Sequence, residues 1–388
     1  MALSVGNSNF KHQRWLSFVT ADIDWAIFFA ALLLTCAGLV TMYSFKGDNL
    51  LFEKQIISLG LSVAVFFTLS FFDFRFLRQS KVSMGLYLAV ILILTALLFG
   101  GRTVKGAQSW FDFGGFAFQP VDLAKVVLIA VLSKYFSRRH IEIANLRHLI
   151  ISGVYTSLIA FLVLLQPDFG SAIIIMMIWF GMVWISGISK KHILGFFLFV
   201  VVSSLFLWSQ VFEEYQKQRI INFMNPLADI RGTGYNAFQS TVAVGSGELL
   251  GKGVGFGTQS RLKFLPEYET DFIFSAFSEE WGFLGVLFLF SLYGLVFWRL
   301  ILSAWHGATN FETLFCVGAV VFFLSHFLIH VGMNIGLLPV TGTTLPFMSY
   351  GGSHLLAEYS ILGVIMGMRK YRRAADRESA TNEVVGFV

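Results

Sequence analysis

Residues 82–99 read Val82-Ser83-Met84-Gly85-Leu86-Tyr87-Leu88-Ala89-Val90-Ile91-Leu92-Ile93-Leu94-Thr95-Ala96-Leu97-Leu98-Phe99, a run without one charge. A hydrocarbon layer about 30 Å thick takes roughly 20 apolar residues of helix to cross, so this stretch predicts a membrane span. Working outward gives about ten such runs, centred on Trp25–Phe45, Gln55–Phe72, Val82–Phe99, Pro120–Phe136, Leu149–Leu165, Gly170–Ile185, Ile193–Val211, Phe272–Leu302, Thr313–Leu337 and Ser353–Met368. They are continuous rather than alternating. In lipid each backbone N–H and C=O must be satisfied within its own segment, so helices are expected and a barrel is not. The expected class is an all-α polytopic integral membrane protein, one transmembrane domain over residues 1–388.

Composition agrees. Of 388 residues, 56% are hydrophobic and 13% charged, against about 25% charged in soluble domains. A soluble fold could not wet so apolar a surface, and the same figures exclude a disordered chain, a disulfide scaffold and a nucleic-acid module. Cys36 and Cys316 lie inside apolar runs and read as small core residues. The first apolar run starts near Ile23 behind a polar stretch, without a small-residue cleavage site, so no cleaved signal is expected.

The net charge of +5 matters less than where the charges fall. Lys11 and Arg14 precede the first span; Arg75, Arg78 and Lys81 follow the second; Arg138, Arg139 and Arg147 the fourth; Lys190 and Lys191 the sixth. Arg369, Lys370, Arg372, Arg373 and Arg377 follow the tenth. With ten spans all these clusters share one side, which positive-inside sorting makes cytoplasmic. Both termini are then inside. The outer segments are 46–54, 100–119, 166–169, the long loop 212–271, and 338–352. All six prolines lie in or beside them. Proline fixes loop shape at no helical cost, and a long patterned loop is a functional candidate.

Within these segments Arg102 and Lys105 form a small cationic site beside an interfacial aromatic, Trp110. Asp122 and Lys125, spaced i,i+3, share a helix face. They read either as an internal pair that lets Lys125 enter the membrane or as part of an anion site. Gly245 to Gly253 includes Gly251-Lys252, but Ser246 and Gly253 occupy positions that a P-loop reserves for Gly and Ser/Thr. Flexible backbone near a turn or ligand is the better reading. Asp271 stands where the eighth span begins. It reads as a helix cap or, with Glu267 and Glu269 raising its proton affinity, as a general base. Glu279, Glu280 and Glu358 are intramembrane acids. His326 and His330 are i,i+4 but lack a metal-site pattern.

Four segments together carry a resemblance. They are Gly106-Ala107 to Lys125; Gln166-Pro167-Asp168-Phe169-Gly170-Ser171-Ala172; Phe264-Leu265-Pro266-Glu267 with Thr270-Asp271-Phe272-Ile273-Phe274; and Gly336-Leu337-Leu338-Pro339-Val340-Thr341-Gly342 through Leu345-Pro346-Phe347-Met348-Ser349-Tyr350-Gly351-Gly352-Ser353. Over nearly its whole length the chain resembles the SEDS family (shape, elongation, division and sporulation), the RodA and FtsW proteins of bacterial wall synthesis. That resemblance implies ten spans with both ends inside the bacterial cytoplasmic membrane. It implies a peptidoglycan glycosyltransferase that polymerises lipid II on the outer face, beside a class B penicillin-binding protein. It places the essential carboxylate of the family on Asp271. Arg102, Lys105 and Lys125 are then candidates for the departing pyrophosphate, with Trp110 and Glu267 completing the substrate-binding set. No cofactor is implied, and no protein metal site.

Departures are local. Gln119-Pro120-Val121-Asp122 keeps a shortened carboxylate where the family has Gln-Pro-Ser-Glu. Glu269 replaces a frequent His, and Gly247-Glu248 a double glycine. The two extra acids leave room for an associated divalent cation. The short tails and the Gln166-Pro167-Asp168 form resemble RodA more than FtsW. Other readings are a septal FtsW-like polymerase, a flippase of lipid-linked precursor using Asp122, Lys125, Glu279, Glu280 and Glu358 as a polar path, and a non-catalytic scaffold. A transporter would be expected to show repeated halves, and none is visible.

Overall fold

In a computed structural model, the described residues are 23–44, 50–104, 107–112, 117–138, 146–187, 234–262 and 264–385, with isolated helical residues between 195 and 223. The chain forms α1 (Trp25–Ser44), α2 (Leu50–Phe71), a 3-10 turn (Phe74–Arg78), α3 (Ser80–Gly100), β1 (Arg102–Val104), β2 (Ala107–Asp112) and β3 (Ala117–Phe118). It continues through α4 (Pro120–Ser137), α5 (Leu146–Leu164), α6 (Phe169–Ile185), α7 (Tyr235–Ser246), α8 (Thr258–Arg261), α9 (Ile273–Trp305), α10 (Asn310–Asn334) and α11 (Gly352–Val385).

Among the described residues six helices are long and apolar enough to cross a membrane: α1, α2, α3, α5, α9 and α10. The polytopic helical class is therefore what the chain adopts. The expected spans match helices to within a few residues, with two differences. The seventh, Ile193–Val211, falls largely outside the described residues. The tenth begins as expected but its helix runs on to Val385, since nothing after Met368 breaks it and its later residues are good helix formers.

Exposed residues on the spans are large and apolar, such as Phe29, Leu92, Phe161 and Phe288, the pattern of a lipid-facing surface. Helix contacts inside rely on small residues, as expected where lipid removes any hydrophobic drive between helices. At Gly363 and Gly367 of α11 an added Cβ would lie 2.8 Å from the carbonyl oxygens of Phe66 and Phe72, so these positions let α11 lie close along α2.

The two ends of the bundle differ. At one end Asp24 accepts hydrogen bonds from Arg299 (Nε to Oδ2 2.9 Å, Nη2 to Oδ2 2.6 Å) and from Arg369 (2.6 Å), tying the start of α1 to the later turns of α9 and the middle of α11. At the other end the expected outer segments gather. Residues 100–119 hold a small antiparallel sheet that the all-α reading did not anticipate. Arg102 pairs with Trp110 and Phe111 with Phe118. Open sheet edges are excluded from hydrocarbon but not from its surface. The described part of the long loop also contains helix: α7 packs on α9 and α10, with Ala243 fully buried.

Candidate active site

Asp271 lies at the turn that leads into α9, half-buried, one residue before the N-cap Phe272. The turn is built on Glu267, whose carbonyl accepts from the N–H groups of Thr270 (3.2 Å), Asp271 (3.0 Å) and Phe272 (3.1 Å). To do so Glu267 adopts φ +54°, a conformation that L side chains resist. Its carboxylate accepts from the Thr270 hydroxyl at 3.2 Å. Glu248 (φ +49°) and Phe347 (φ +63°) are held in the same region of backbone space. Such conformations persist only where the surroundings over-determine them, and they concentrate at functional sites.

The segment 338–351 forms the floor. Sequence alone places it outside, yet Leu345, Phe347 and Met348 are 0–1% exposed. Irregular backbone can be buried this way only if protein groups satisfy it, and four helices supply them. Gln55 of α2 donates to Ser349 O (3.2 Å) and accepts from Gly351 N (3.2 Å). Tyr293 of α9 donates to Pro346 O. His326 and His330 of α10 donate from Nδ1 to Thr344 O (3.2 Å) and Thr343 O (2.7 Å). Glu358 of α11 accepts from Phe347 N (2.8 Å). From α1, Gly38 approaches so closely that a Cβ there would lie 2.2 Å from Met348 O. The floor then meets the Asp271 turn directly. Tyr350 N donates to Glu269 O (2.8 Å) and Ser349 Oγ to Thr270 O (2.8 Å). A Cβ at Gly342 would sit 3.6 Å from Asp271 Oδ2. The phenols of Tyr268 and Tyr350 are pushed to higher pKa by burial and then by the charge of Glu269.

The start of α6 closes a third side. Asp168 accepts from Ser171 N at 3.0 Å, capping that helix, and from Gln119 Nε2 at 3.3 Å. Gly170 is pressed against Thr341, where a Cβ would meet its carbonyl at 2.8 Å. A chain of contacts thus links Gln119, the start of α6, the floor and the Asp271 turn, with Gly342 beside the Asp271 carboxylate.

Beneath the floor lies a buried charge network. Lys125 Nζ is 3.2 Å from Asp122 Oδ1, and His354 Nδ1 is 3.1 Å from the same oxygen. His354 Nε2 is 3.0 Å from Glu358 Oε1. All four residues are at most 5% exposed, so the internal-pair reading of Asp122 and Lys125 describes their contacts. Elsewhere on α9, Glu279 is saturated. It accepts from Lys252 Nζ (2.7 Å), Thr258 N (2.8 Å), Thr258 Oγ1 (2.9 Å) and Gln259 N (3.1 Å). Glu280 accepts from Ser44 Oγ (2.5 Å) and Gly255 N (2.9 Å). The glycine-rich stretch is packing, not a phosphate cradle. It wraps a break in α9 at Gly282 (φ +64°), where a Cβ would come within 2.2 Å of Gly251 N.

Of the residues singled out from sequence, Asp271 and Glu267 share one turn. Trp110 is half-buried on β2, opposite Arg102 in the ladder. Lys125 is buried below, and Lys105 lies outside the described residues. Gln55, Tyr293 and Asn334 were not singled out. A lone polar residue on an apolar helix carries no sequence signal for which carbonyl it will meet.

The fold and this site define a polytopic helical membrane protein whose acidic, loop-built centre lies at one end of the bundle. The chain belongs to the FtsW–RodA–SpoVE family, described as cell cycle protein, whose family model matches residues 16–374. It is 35% identical over 288 residues to the peptidoglycan glycosyltransferase MrdB of Escherichia coli (strain K12), covering 74% of this chain and 78% of that one. It is 31% identical over 377 residues to the probable peptidoglycan glycosyltransferase FtsW of Bacillus subtilis (strain 168), covering 92% of each. A chain from a solved peptidoglycan synthase complex, one that structurally coordinates polymerization and crosslinking, superposes with TM-score 0.78 at 31% identity. That match covers 90% of this chain and 98% of the other. The family expected from the four motifs is the one found.

Proposed function

We propose that this chain is a peptidoglycan glycosyltransferase that polymerises lipid II at the outer face of the bacterial cytoplasmic membrane, with Asp271 as general base. The observation that carries the reading is the docking of the buried floor 338–351 against the Asp271 turn, which sets the carboxylate of the half-buried Asp271 beside Gly342. An acceptor-sugar hydroxyl gives its proton to Asp271 while its oxygen attacks the anomeric carbon of the donor. The bond from that carbon to the pyrophosphate breaks with inversion, and the lipid pyrophosphate leaves with the electron pair. Arg102 and Lys105 are assigned to that developing charge, Trp110 to the sugar or interface, and Glu267 to the acceptor. Lys125, neutralised by Asp122, supports the floor from below. The polyprenyl chains run along the Phe-rich exterior.

The positive-inside pattern supports the orientation with both termini cytoplasmic. The likeness to a synthase that polymerises and crosslinks supports a class B penicillin-binding protein as partner. The Gln166-Pro167-Asp168 form favours elongation over septation. The displacement is drawn with protein groups alone, and any divalent cation enters with substrate. Labelled lipid II given to the purified chain with its cognate penicillin-binding protein tests the reading. Glycan strands are expected. Transbilayer movement without strands would replace it with the flippase, and neither outcome with a scaffold. Strand yield unchanged by a chelator would remove the cation.

A further inference from the structure

Asn334, in the last turn of α10, is 0% exposed and cannot touch substrate. Its amide nevertheless uses every hydrogen-bonding position it has. Nδ2 donates to the carbonyl of Asp271 at 3.0 Å and to the carbonyl of His330 at 2.8 Å. Oδ1 accepts from Ser275 N at 3.2 Å and from Ser275 Oγ at 2.6 Å. Two carbonyls on one side and two donors on the other allow only one orientation of the amide. Its own carbonyl accepts from Ser240 Oγ at 2.8 Å, and Ser240 Oγ lies 2.6 Å from Ser275 Oγ. One residue therefore joins α7, α9, α10 and the Asp271 turn.

The Ser275 contact has a specific meaning. A helix begins with N–H groups that have no intrahelical partner, and the N-cap side chain commonly serves the second or third of them. Here the N-cap is Phe272, which offers no acceptor. Ser275 N is the third such donor, and Asn334 accepts it from a different helix. We infer that Asn334 is a positioning residue for the polymerisation reaction. By capping α9 in trans it takes over one capping bond that a side chain at the Asp271 turn would otherwise make. By holding the Asp271 carbonyl it fixes where that residue's carboxylate projects beside Gly342. The inference rests on the reading of Asp271 as the base.

The test compares Asn334→Ala, Asn334→Gln and Asp271→Asn in the full chain with its cognate penicillin-binding protein, measuring kcat and KM for lipid II together with thermal stability and partner capture. Displacing a catalytic group by about 1 Å costs on the order of 100-fold. Asn334→Ala is therefore expected to lower kcat by about 10- to 100-fold with KM held within about twofold. Asn334→Gln keeps a buried amide for Ser275 and His330 to pair with but moves it by a methylene. It should stay folded and partner-bound while showing the same loss confined to kcat. Unchanged kcat in folded Asn334→Gln, or a loss shared between kcat and KM, overturns the inference. An active Asp271→Asn would instead overturn the assignment of the base, so the two failures are distinct.

Discussion

Asp24 and Asp271 are the same residue in equivalent places, each just ahead of a membrane-spanning helix, and the fold treats them oppositely. Asp24 is 4% exposed and its carboxylate takes the guanidinium groups of Arg299 and Arg369. Burial by itself pushes its pKa up, but the two arginines outweigh that and hold it below the usual carboxylate range. Asp271 is half-exposed and is held through its main chain, by Glu267 O at its N–H and Asn334 Nδ2 at its carbonyl. The first arrangement consumes the carboxylate to join three helices. The second fixes the backbone of a half-buried residue and sets its carboxylate beside Gly342. Glu279 shows the same contrast within α9, since it is taken up by one ammonium and by Thr258 and Gln259 at the start of α8.

The contrast breaks most sharply at Asp271→Asn. This isostere should fold and bind its partner but lose strand formation by about 10²–10⁴-fold, the range for removing a general base, in the labelled lipid II assay. Retained polymerisation would put Asp271 in the same structural class as Asp24. Gly342→Ala should have the next effect. Its φ of +72° costs an alanine about 1–2 kcal/mol, and the new methyl meets Asp271 Oδ2. A drop of about 10-fold in kcat is expected, with a modest fall in thermal midpoint. Wild-type turnover would show that the floor does not set the carboxylate.

Asp24→Asn should do the reverse. Two arginines lose their counter-charge in a partly wetted site, a cost between those of surface and buried pairs, about 1–3 kcal/mol. Turnover per folded molecule should hold. Scanning thermal stability measures the first and active-site-normalised kinetics the second. The smallest effect is with pH. A carboxylate whose folded pKa is lowered stabilises fully above its unfolded value of about 3.9 and loses that contribution as pH falls through the folded value. Wild type should lose more stability than Asp24→Asn on going from pH 5 towards pH 3. Parallel curves would mean the arginines do not hold the charge as the geometry indicates.

Much of this was visible beforehand for a simple reason. Runs such as 82–99 have no alternative to a membrane, so the helices followed from hydropathy. The Thr270-Asp271-Phe272 element pointed to the site through its resemblance to the family motif, since an acid at a helix start reads by itself equally as a cap. The burial of the floor was not legible because 338–351 has loop composition. Its burial depends on Gln55, Tyr293, His326, His330 and Glu358 arriving from elsewhere to satisfy its carbonyls and N–H groups. The two histidines were weighed as ligands because i,i+4 spacing reveals a shared face but not what that face meets. Ser246 and Gly253 already ruled out a P-loop around Gly251-Lys252, and the kink at Gly282 supplies the close backbone contact that the glycines serve.

The sequence by itself determined that this chain is a helical membrane protein, because transfer free energy is a local property of its apolar runs, and its motifs pointed to the family. Only the tertiary structure decided that Glu279 is spent and that Asp271 is held by its backbone. It also showed that a loop forms the floor and that Asn334 caps another helix. Hydrogen-bond satisfaction in a buried site is set by partners far apart in the chain, and no local pattern encodes them.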